Sequence, residues 1–365
     1  MKIAFDHHIF SLENYGGISR YFKELLLELD KIGIDSHIFA PIYINRYLKE
    51  LKKSSLTGCF LNSIPPGTGR FLVEPINKMI ENKKIKNWKP DIIHQTYYSN
   101  SVKKLKIPKI VTVYDMIHEK YKNNQNFVIN YKLKTLVNAD HLICISNNTK
   151  QDLLDIYPFL SNKVDVVHLG YSNLLDRCDI FDKRNLPPFI LFVGQRNGYK
   201  NFENLIIAYS KSDKLKNNFS IVAFGGGFFS DNEKIRFKEL GCGENKIIHI
   251  SGDDSVLKSI YRRAVALVYP SKYEGFGLPP IEAMSESCPV ICSNTSSIPE
   301  IVGDAAEIFD PYDIENMKNS IEKVVFSPIY SKYLIEKGLL RIKEFSWEKC
   351  AQETLNIYKK ITNCQ

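Results

Sequence analysis

Several features are missing from this chain, and each absence removes a class of explanation. Its eight cysteines, at 59, 144, 178, 242, 288, 292, 350 and 364, include no Cys-x-x-Cys pair and no zinc spacing. That pattern reads as reduced thiols in a cytosol. No eighteen-residue apolar span occurs, so no membrane-crossing helix is expected. Met1 leads directly into an apolar strand, so no secretory leader is expected. Low-complexity tracts, short repeats and any Asp-x-Asp pair are also absent. Asp253-Asp254, the only adjacent acidic pair of this kind to suggest a metal, reads as a solvated helix start.

What remains is ordinary globular protein: 365 residues, 44% hydrophobic and 25% charged, enough for two domains. Short apolar runs alternate with helical stretches, which implies parallel α/β sheets. Turn residues and charges replace periodicity at Gly170–Pro188, the expected connection between domains. Charge is uneven. Residues 1–170 carry 24 Lys and Arg against 16 Asp and Glu, whereas residues 171–365 carry 25 of each. The segment Arg46–Lys109 alone has 14 basic and 4 acidic residues, including Lys52, Lys53, Lys83, Lys84, Lys86, Lys89, Lys103, Lys104, Lys106 and Lys109. No nucleic-acid recognition motif accompanies it.

The densest chemistry lies at Tyr269-Pro270-Ser271-Lys272-Tyr273-Glu274-Gly275-Phe276-Gly277-Leu278-Pro279-Pro280-Ile281-Glu282. The apolar run Ala264–Val268 before it suits a buried strand, and Pro279-Pro280 fit only the first turn of a helix. Strand, glycine turn and helix form a phosphate site: Gly275 and Gly277 let backbone approach a ligand, and the helix start offers N–H donors and partial positive charge. Taken singly, Glu282 is an ordinary first-turn acid and Glu274 a solvated loop residue. Taken together, two glutamates separated by seven residues around Gly-Phe-Gly-Leu resemble the signature of the family-four retaining glycosyltransferases of the GT-B fold.

That resemblance implies two Rossmann-like parallel-sheet domains facing a central cleft, with a C-terminal helix crossing back to the first domain. It implies an acceptor-binding domain at 1–170 plus 345–365 and a nucleotide-sugar-binding domain at 171–344. Glu274 would contact the donor sugar, the backbone of Gly275, Phe276, Gly277 and Leu278 the distal phosphate, and Glu282 the ribose. The strand Phe189–Val193 runs into Gly194-Gln195-Arg196-Asn197-Gly198-Tyr199-Lys200-Asn201, where Arg196 and Lys200 hold the places of the family's diphosphate-gripping cations. Ile221–Phe224 with Gly225-Gly226-Gly227 adds a strand and glycine turn, and Ile247–Ile250 with Ser251-Gly252 matches the region that reads the nucleobase, so Ile250 joins the donor-site candidates.

In the first half, Gly16 and Gly17 open an amphipathic helix to about Leu29, and the family places such a loop over the donor phosphates. Asp91–His94 and Val111–His118 both read as strands ending in polar residues. They give Asp115 as a catalytic candidate and His94, Tyr97, Tyr114 and His118 as acceptor or sugar contacts. Tyr114-Asp115 stands where many relatives have His-Asp. Ser285-Glu286-Ser287-Cys288-Pro289 also departs from the family, which has glycine before Cys-Pro-Val; Ser287 is expected to take a left-handed helix end.

The resemblance implies a retaining hexosyltransferase with no cofactor, a nucleotide diphosphate sugar as co-substrate, and no metal. GDP-mannose is the first expectation for the donor, and a saccharide or lipid-linked acceptor in cell-surface polysaccharide assembly the expected partner. A nucleotide-sugar epimerase, a sugar phosphorylase and an inactive sugar-nucleotide binder remain the alternatives. The basic first half fits peripheral attachment to anionic lipid at the cytoplasmic face, with Trp88 as a possible interfacial anchor.

Overall fold

The computed structural model describes residues 1–65, 67–99, 106–121, 126–171, 186–243 and 245–363. Lys103, Lys104, Cys178, Cys364 and most of the expected connection at 170–188 lie outside the described residues. The chain divides into two compact units, Met1–Gly170 with Ser346–Gln365, and Tyr171–Phe345.

The first unit holds a seven-stranded parallel sheet of β1 (Lys2–Phe5), β2 (Asp35–Tyr43), β3 (Leu56–Phe60), β4 (Ile92–Gln95), β5 (Lys109–Val113), β6 (His141–Cys144) and β7 (Val164–Val166). Its order is β3-β2-β1-β4-β5-β6-β7. Ala4 of β1 registers against both His37 of β2 and Ile93 of β4, so β1 is central and buried on both edges. Strand order reverses between β1 and β4, which makes their carboxyl ends the crevice where ligands of open α/β sheets gather.

The helix Gly17–Lys31 buries Tyr21, Phe22, Leu25, Leu26 and Leu29, an apolar stripe at helical spacing. The terminal helix Trp347–Asn363 packs on it through Trp347, Cys350, Thr354 and Tyr358, with the Tyr21 and Trp347 rings 6.1 Å apart. Gly170 passes so close that a Cβ there would lie 2.3 Å from the Trp347 amide nitrogen, so only glycine fits.

The second unit holds a six-stranded parallel sheet of β8 (Phe189–Val193), β9 (Ser220–Phe224), β10 (Ile247–Ile250), β11 (Ala266–Tyr269), β12 (Val290–Ser293) and β13 (Glu307–Phe309), in the order β10-β9-β8-β11-β12-β13. Side chains of β8 alternate between two cores: Phe189, Leu191 and Val193 on one face, Ile190 and Phe192 on the other. Covering both faces explains why these strands read as unbroken apolar runs. Each fully buried side chain of this kind contributes about 1.5–3 kcal/mol. Here the order reverses between β8 and β11.

Two expectations shift. The strand read at Ala264–Val268 lies at Ala266–Tyr269. The strand read through His118 stops at Val113, and His118 sits on the short helix Ile117–Tyr121. Ser287 does take the left-handed conformation, with φ of 56°. The Cys288 amide donates to the Ala283 carbonyl at 2.9 Å and the Ser287 amide to the Met284 carbonyl at 3.2 Å, which closes the helix in a Schellman turn without its usual glycine.

Candidate functional site

At the β8/β11 reversal of the second unit, Lys200 Nζ donates to Glu274 Oε1 at 2.7 Å, with both side chains largely covered. The two loops are tied again by the Lys272 amide to the Tyr199 carbonyl at 2.7 Å. Asn201 Nδ2 donates to the Pro270 carbonyl at 3.1 Å. Asn201 itself is left-handed, with φ of 59°. The Tyr269 hydroxyl lies 3.4 Å from Lys200 Nζ. Burial first, and the Glu274 carboxylate second, push its pKa well above the ordinary value, so Tyr269 stays a neutral phenol.

The turn after Glu274 is built from backbone. Gly277, with φ of 113°, caps the helix Leu278–Ser285, and Pro279 and Pro280 occupy its first turn. Neither proline has an N–H, so amide donors at this helix start come from Leu278 and the turn before it. Phe276 buries its ring against Phe345 at 5.8 Å, which leaves only its backbone to serve a ligand. Ser296 Oγ accepts from the Glu274 amide at 2.8 Å, and Ser297 Oγ donates to the Glu274 and Phe276 carbonyls at 2.9 Å each. These serines were not singled out in the sequence; their signal was the polar run Asn294–Ser297 after a buried strand. Glu282 accepts from the Tyr261 hydroxyl at 3.1 Å.

Arg196, in the loop after β8, is tied to the turn after β9. Its Nε donates to Glu233 Oε1 at 2.6 Å; Nη1 to the carbonyls of Gly225 and Gly227 at 3.0 and 2.9 Å; Nη2 to the Phe228 carbonyl at 3.0 Å and Glu233 Oε2 at 3.4 Å. A guanidinium has five N–H groups. All are engaged, so Arg196 organises the Gly225–Gly227 turn, where all three φ values are positive. Burial, the largest single influence, raises the Glu233 carboxyl, but the hydrogen bonds from Arg196 and Ser230 and the Arg196 charge together outweigh it and hold the pKa at about 2. A cavity of about 510 Å³ opens beside Arg196, lined by Phe202, Phe228, Arg236 and Phe237. Ile250 is a core side chain, and its carbonyl accepts from the Gly225 amide at 3.0 Å, so its side chain is not offered to a ligand. Asp253 caps the helix Asp254–Arg263, accepting from the Ser255 and Val256 amides at 3.1 Å each.

In the first unit, Gly16 and Gly17 open the helix Gly17–Lys31, and an internal carboxylate already sits there: Glu13 Oε1 accepts from the Ser19 amide at 3.2 Å. A Cβ on Gly16 would fall 2.2 Å from Glu13 Oε2. Burial pushes the Glu13 pKa upward. An N–H donor at the start of this helix is thus already engaged by the chain's own carboxyl group.

His94 must be withdrawn from the acceptor candidates. It is fully buried, Nδ1 lying 2.6 Å from the Tyr358 hydroxyl and Nε2 2.8 Å from Thr112 Oγ1, and burial holds its pKa at about 3. Tyr114 is also covered, its hydroxyl donating to the Thr96 carbonyl at 2.8 Å. Tyr97 stacks on it at 6.4 Å and is only half-buried. Asp115 Oδ1 caps the next helix through the Ile117 amide at 3.1 Å, and Asp115 and His118 are both half-buried. One cluster had no sequence signal: Asp6, His7 and His8 after β1 meet Glu74 and Glu81 of the helix Glu74–Trp88.

That helix exposes Lys78, Lys83, Lys84 and Lys86, and beside them Ile76 and Met79, with Phe71 and Leu72 in the turn before it. Trp88 is not part of this surface: it packs on Phe39 at 5.6 Å and His37 at 5.8 Å. No helix among the described residues is long and apolar enough to cross a membrane.

The family model described as Glycosyl transferases group 1 matches residues 177–341, and that described as Glycosyltransferase Family 4 matches residues 15–172. The O-antigen chain mannosyltransferase B of Escherichia coli is 28% identical over 238 residues, 62% of this chain and 62% of that protein. The uncharacterized glycosyltransferase MJ1178 of Methanocaldococcus jannaschii is 30% identical over 269 residues, 71% of this chain and 70% of that one. The match spans less than two thirds of the mannosyltransferase B and 36–38% of serotype-specific mannosyltransferases of E. coli. The structure of sucrose-phosphate synthase from Thermosynechococcus elongatus superposes with a TM-score of 0.79 at 20% identity, covering 100% of this chain and 99% of that one, which establishes a shared fold.

Proposed function

The chain belongs to the family-four glycosyltransferases of the GT-B fold, and on that footing we propose that it moves a hexose from a nucleotide diphosphate sugar to a saccharide or lipid-linked acceptor, with retention of configuration. The observation that carries the reading is the Lys200–Glu274 pair at the β8/β11 reversal, beside the glycine-opened helix at Gly277. Lys200 and the amides before Pro279 would neutralise charge on the departing diphosphate, where one donor of this kind contributes about 10²–10³ in rate. Glu274 would hold sugar hydroxyls and Glu282 the ribose.

The acceptor hydroxyl would attack the face that the diphosphate leaves, its proton passing to a phosphate oxygen, so no protein nucleophile is assigned. Arg196 would act as a positioning residue through the Gly225–Phe228 turn. Tyr97, Asp115 and His118 remain the first unit's candidates for the acceptor. Mannosyltransferases among the relatives support GDP-mannose as the first donor to try. The exposed lysines and apolar side chains around the helix Glu74–Trp88 support peripheral attachment to anionic lipid on the cytoplasmic side.

The test is a thermal-shift screen with UDP, GDP, ADP and their sugars, followed by product analysis. A nucleotide at 100 times its dissociation constant stabilises by about 2.7 kcal/mol. The expected result is transfer dependent on acceptor, with the donor's anomeric configuration kept in the product by NMR. Donor turnover without acceptor would indicate an epimerase, and a requirement for inorganic phosphate a phosphorylase. Nucleotide binding without turnover of any donor would reduce the chain to a binder.

A further inference from the structure

At the β1/β4 reversal of the first unit, Asp6, His7 and His8 follow β1 and Thr96 follows β4. The helix Glu74–Trp88 brings Glu74 and Glu81, seven positions apart and so on one face, against the two imidazoles. His7 Nε2 lies 3.1 Å from one Glu74 oxygen, and His8 Nε2 lies 3.1 Å from the other. Behind each ring stands a second carboxylate: His7 Nδ1 is 2.6 Å from Glu81 Oε2, and His8 Nδ1 is 3.2 Å from Asp6 Oδ2. Asp6 is itself fixed by the Thr96 amide at 2.9 Å and the Thr96 hydroxyl at 2.5 Å. The Glu74 side chain is 39% exposed, while the other four are buried.

Three properties of this cluster converge. Both imidazoles present the same nitrogen to one carboxylate and back the other nitrogen with a buried carboxylate, which is the outer-shell arrangement that orients metal-binding histidines. One ligand atom from each of His7, His8 and Glu74 lies within 4.8 Å of the others. Each 3.1 Å contact, made to a different Glu74 oxygen, is close to the ligand-to-ligand edge of about 3.3 Å in a tetrahedron with bonds of about 2.0–2.1 Å, so a small turn of the part-exposed Glu74 carboxylate would bring one oxygen to both imidazoles. Finally, Asp6 Oδ2, His8 Nδ1 and Glu81 Oε1 are buried without a hydrogen bond, although Asp6 and His8 touch. Among the described residues, the ion pairs of the three carboxylates run only to these imidazoles. Buried carboxylates so arranged favour a compensating cation.

We propose that His7, His8 and Glu74 bind one divalent transition-metal ion of the zinc class, with Glu81 and Asp6 orienting the imidazoles and a coordination position open on the exposed side of Glu74. Two imidazoles and one carboxylate suit zinc rather than magnesium or calcium, which take oxygen ligands. The ion would pin the start of the helix Glu74–Trp88 to the end of β1. It plays no part in the diphosphate chemistry assigned to the second unit.

The full chain, stripped with chelator and desalted, is titrated with ZnSO₄ against a chromophoric competitor and with CoCl₂ followed by visible absorption. Expected are one equivalent bound, the intense d–d absorption of four-coordinate Co²⁺, and a raised melting temperature. Glu74→Gln and His8→Asn should abolish the absorption, and Glu81→Gln should weaken binding about 10–100-fold. No stoichiometric uptake by folded wild-type protein overturns the proposal. So does uptake whose affinity and spectrum survive Glu74→Gln and His8→Asn, which would mark adventitious binding elsewhere. The wild-type spectrum decides whether a four-coordinate site exists even where circular dichroism shows a variant unfolded, and Glu74→Ala, at a part-exposed position, supplies a second test of its location.

Discussion

Lys200 Nζ and Glu274 Oε1, 74 positions apart in sequence, meet at 2.7 Å and join the loop after β8 to the loop after β11. On the proposed reading, this pair lines the place of the sugar diphosphate. Lys200→Ala should therefore lower turnover about 10²-fold or more, with the protein still folded. Glu274→Gln should impair transfer while leaving affinity for free nucleoside diphosphate near wild type. Glu282→Gln should instead weaken that affinity about tenfold, about 1.4 kcal/mol. Calorimetry with the nucleotide and steady-state assays separate them, and equal affinity losses in both glutamate variants would refute the division of roles.

Arg196 gives a different expectation, because its guanidinium is saturated by the Gly225–Phe228 turn and Glu233. A lysine cannot reproduce a planar fork, so Arg196→Lys should destabilise the second unit by about 2–4 kcal/mol. Denaturant unfolding measures this. Unchanged stability with lost activity would return Arg196 to the ligand.

Ser287 is held at φ of 56° where glycine is usual. Relieving about 1–2 kcal/mol of left-handed strain, less the entropic cost of glycine, predicts that Ser287→Gly stabilises by about 0.5–1 kcal/mol. A melting temperature at or below wild type would contradict it.

His94 sets a pH dependence. Its folded pKa of about 3 lies below the ordinary 6.5. Below pH 6.5 the unfolded chain takes up a proton that the folded chain refuses, so stability is present above that value and is lost as pH falls toward 3. The loss is about 1.4 kcal/mol per unit once the unfolded histidine is protonated, or about 2 kcal/mol between pH 7 and pH 5. Urea unfolding of wild type and His94→Gln at both values checks it: their stability difference should shrink or reverse at pH 5, and a constant difference would count against a neutral core imidazole.

Lipid attachment should depend on both chemistries around the helix Glu74–Trp88. Each basic residue near an anionic surface contributes about 1 kcal/mol, and the Debye length of about 8 Å at physiological salt makes the attraction salt-sensitive. Co-sedimentation is expected with anionic but not neutral vesicles, lost in high salt, and reduced by Lys83→Glu, Lys84→Glu and Lys86→Glu. Replacing Phe71 and Leu72, which are 75% and 58% exposed, with serine should reduce it further. Equal sedimentation with both lipids, or with neither, would dismiss the surface.

The sheets were legible because most of their strands are buried on both faces, so Phe189–Val193 and Ile221–Phe224 stand out as apolar runs bounded by turns. The glycine turns were legible from residue type, Gly277 above all. Histidine 94 was misread because its partner, Tyr358, lies 264 positions away, and a strand-end histidine facing solvent looks the same in sequence as one facing the core. The hold of Arg196 on the Gly225–Phe228 turn was not legible because three of its acceptors are backbone carbonyls, which any residue supplies. The His7 and His8 cluster gave no signal, since Glu74 and Glu81 arrive from a helix more than sixty positions later.

Gly170 lying against Trp347 has a consequence for the order of events on the ribosome. The second unit, 171–345, is continuous and complete before the helix Trp347–Asn363 has been made. The first unit begins synthesis earlier yet waits longest, because Tyr21 lacks its Trp347 neighbour and His94 its Tyr358 hydroxyl until the final turns emerge. Domains usually mature from the N-terminus onward during translation. In this chain the later-made sheet can mature first, and although Phe22 already rests on Phe5 of the first sheet, the Tyr21 flank of Gly17–Lys31 stays uncovered, the surface a chaperone would be expected to meet.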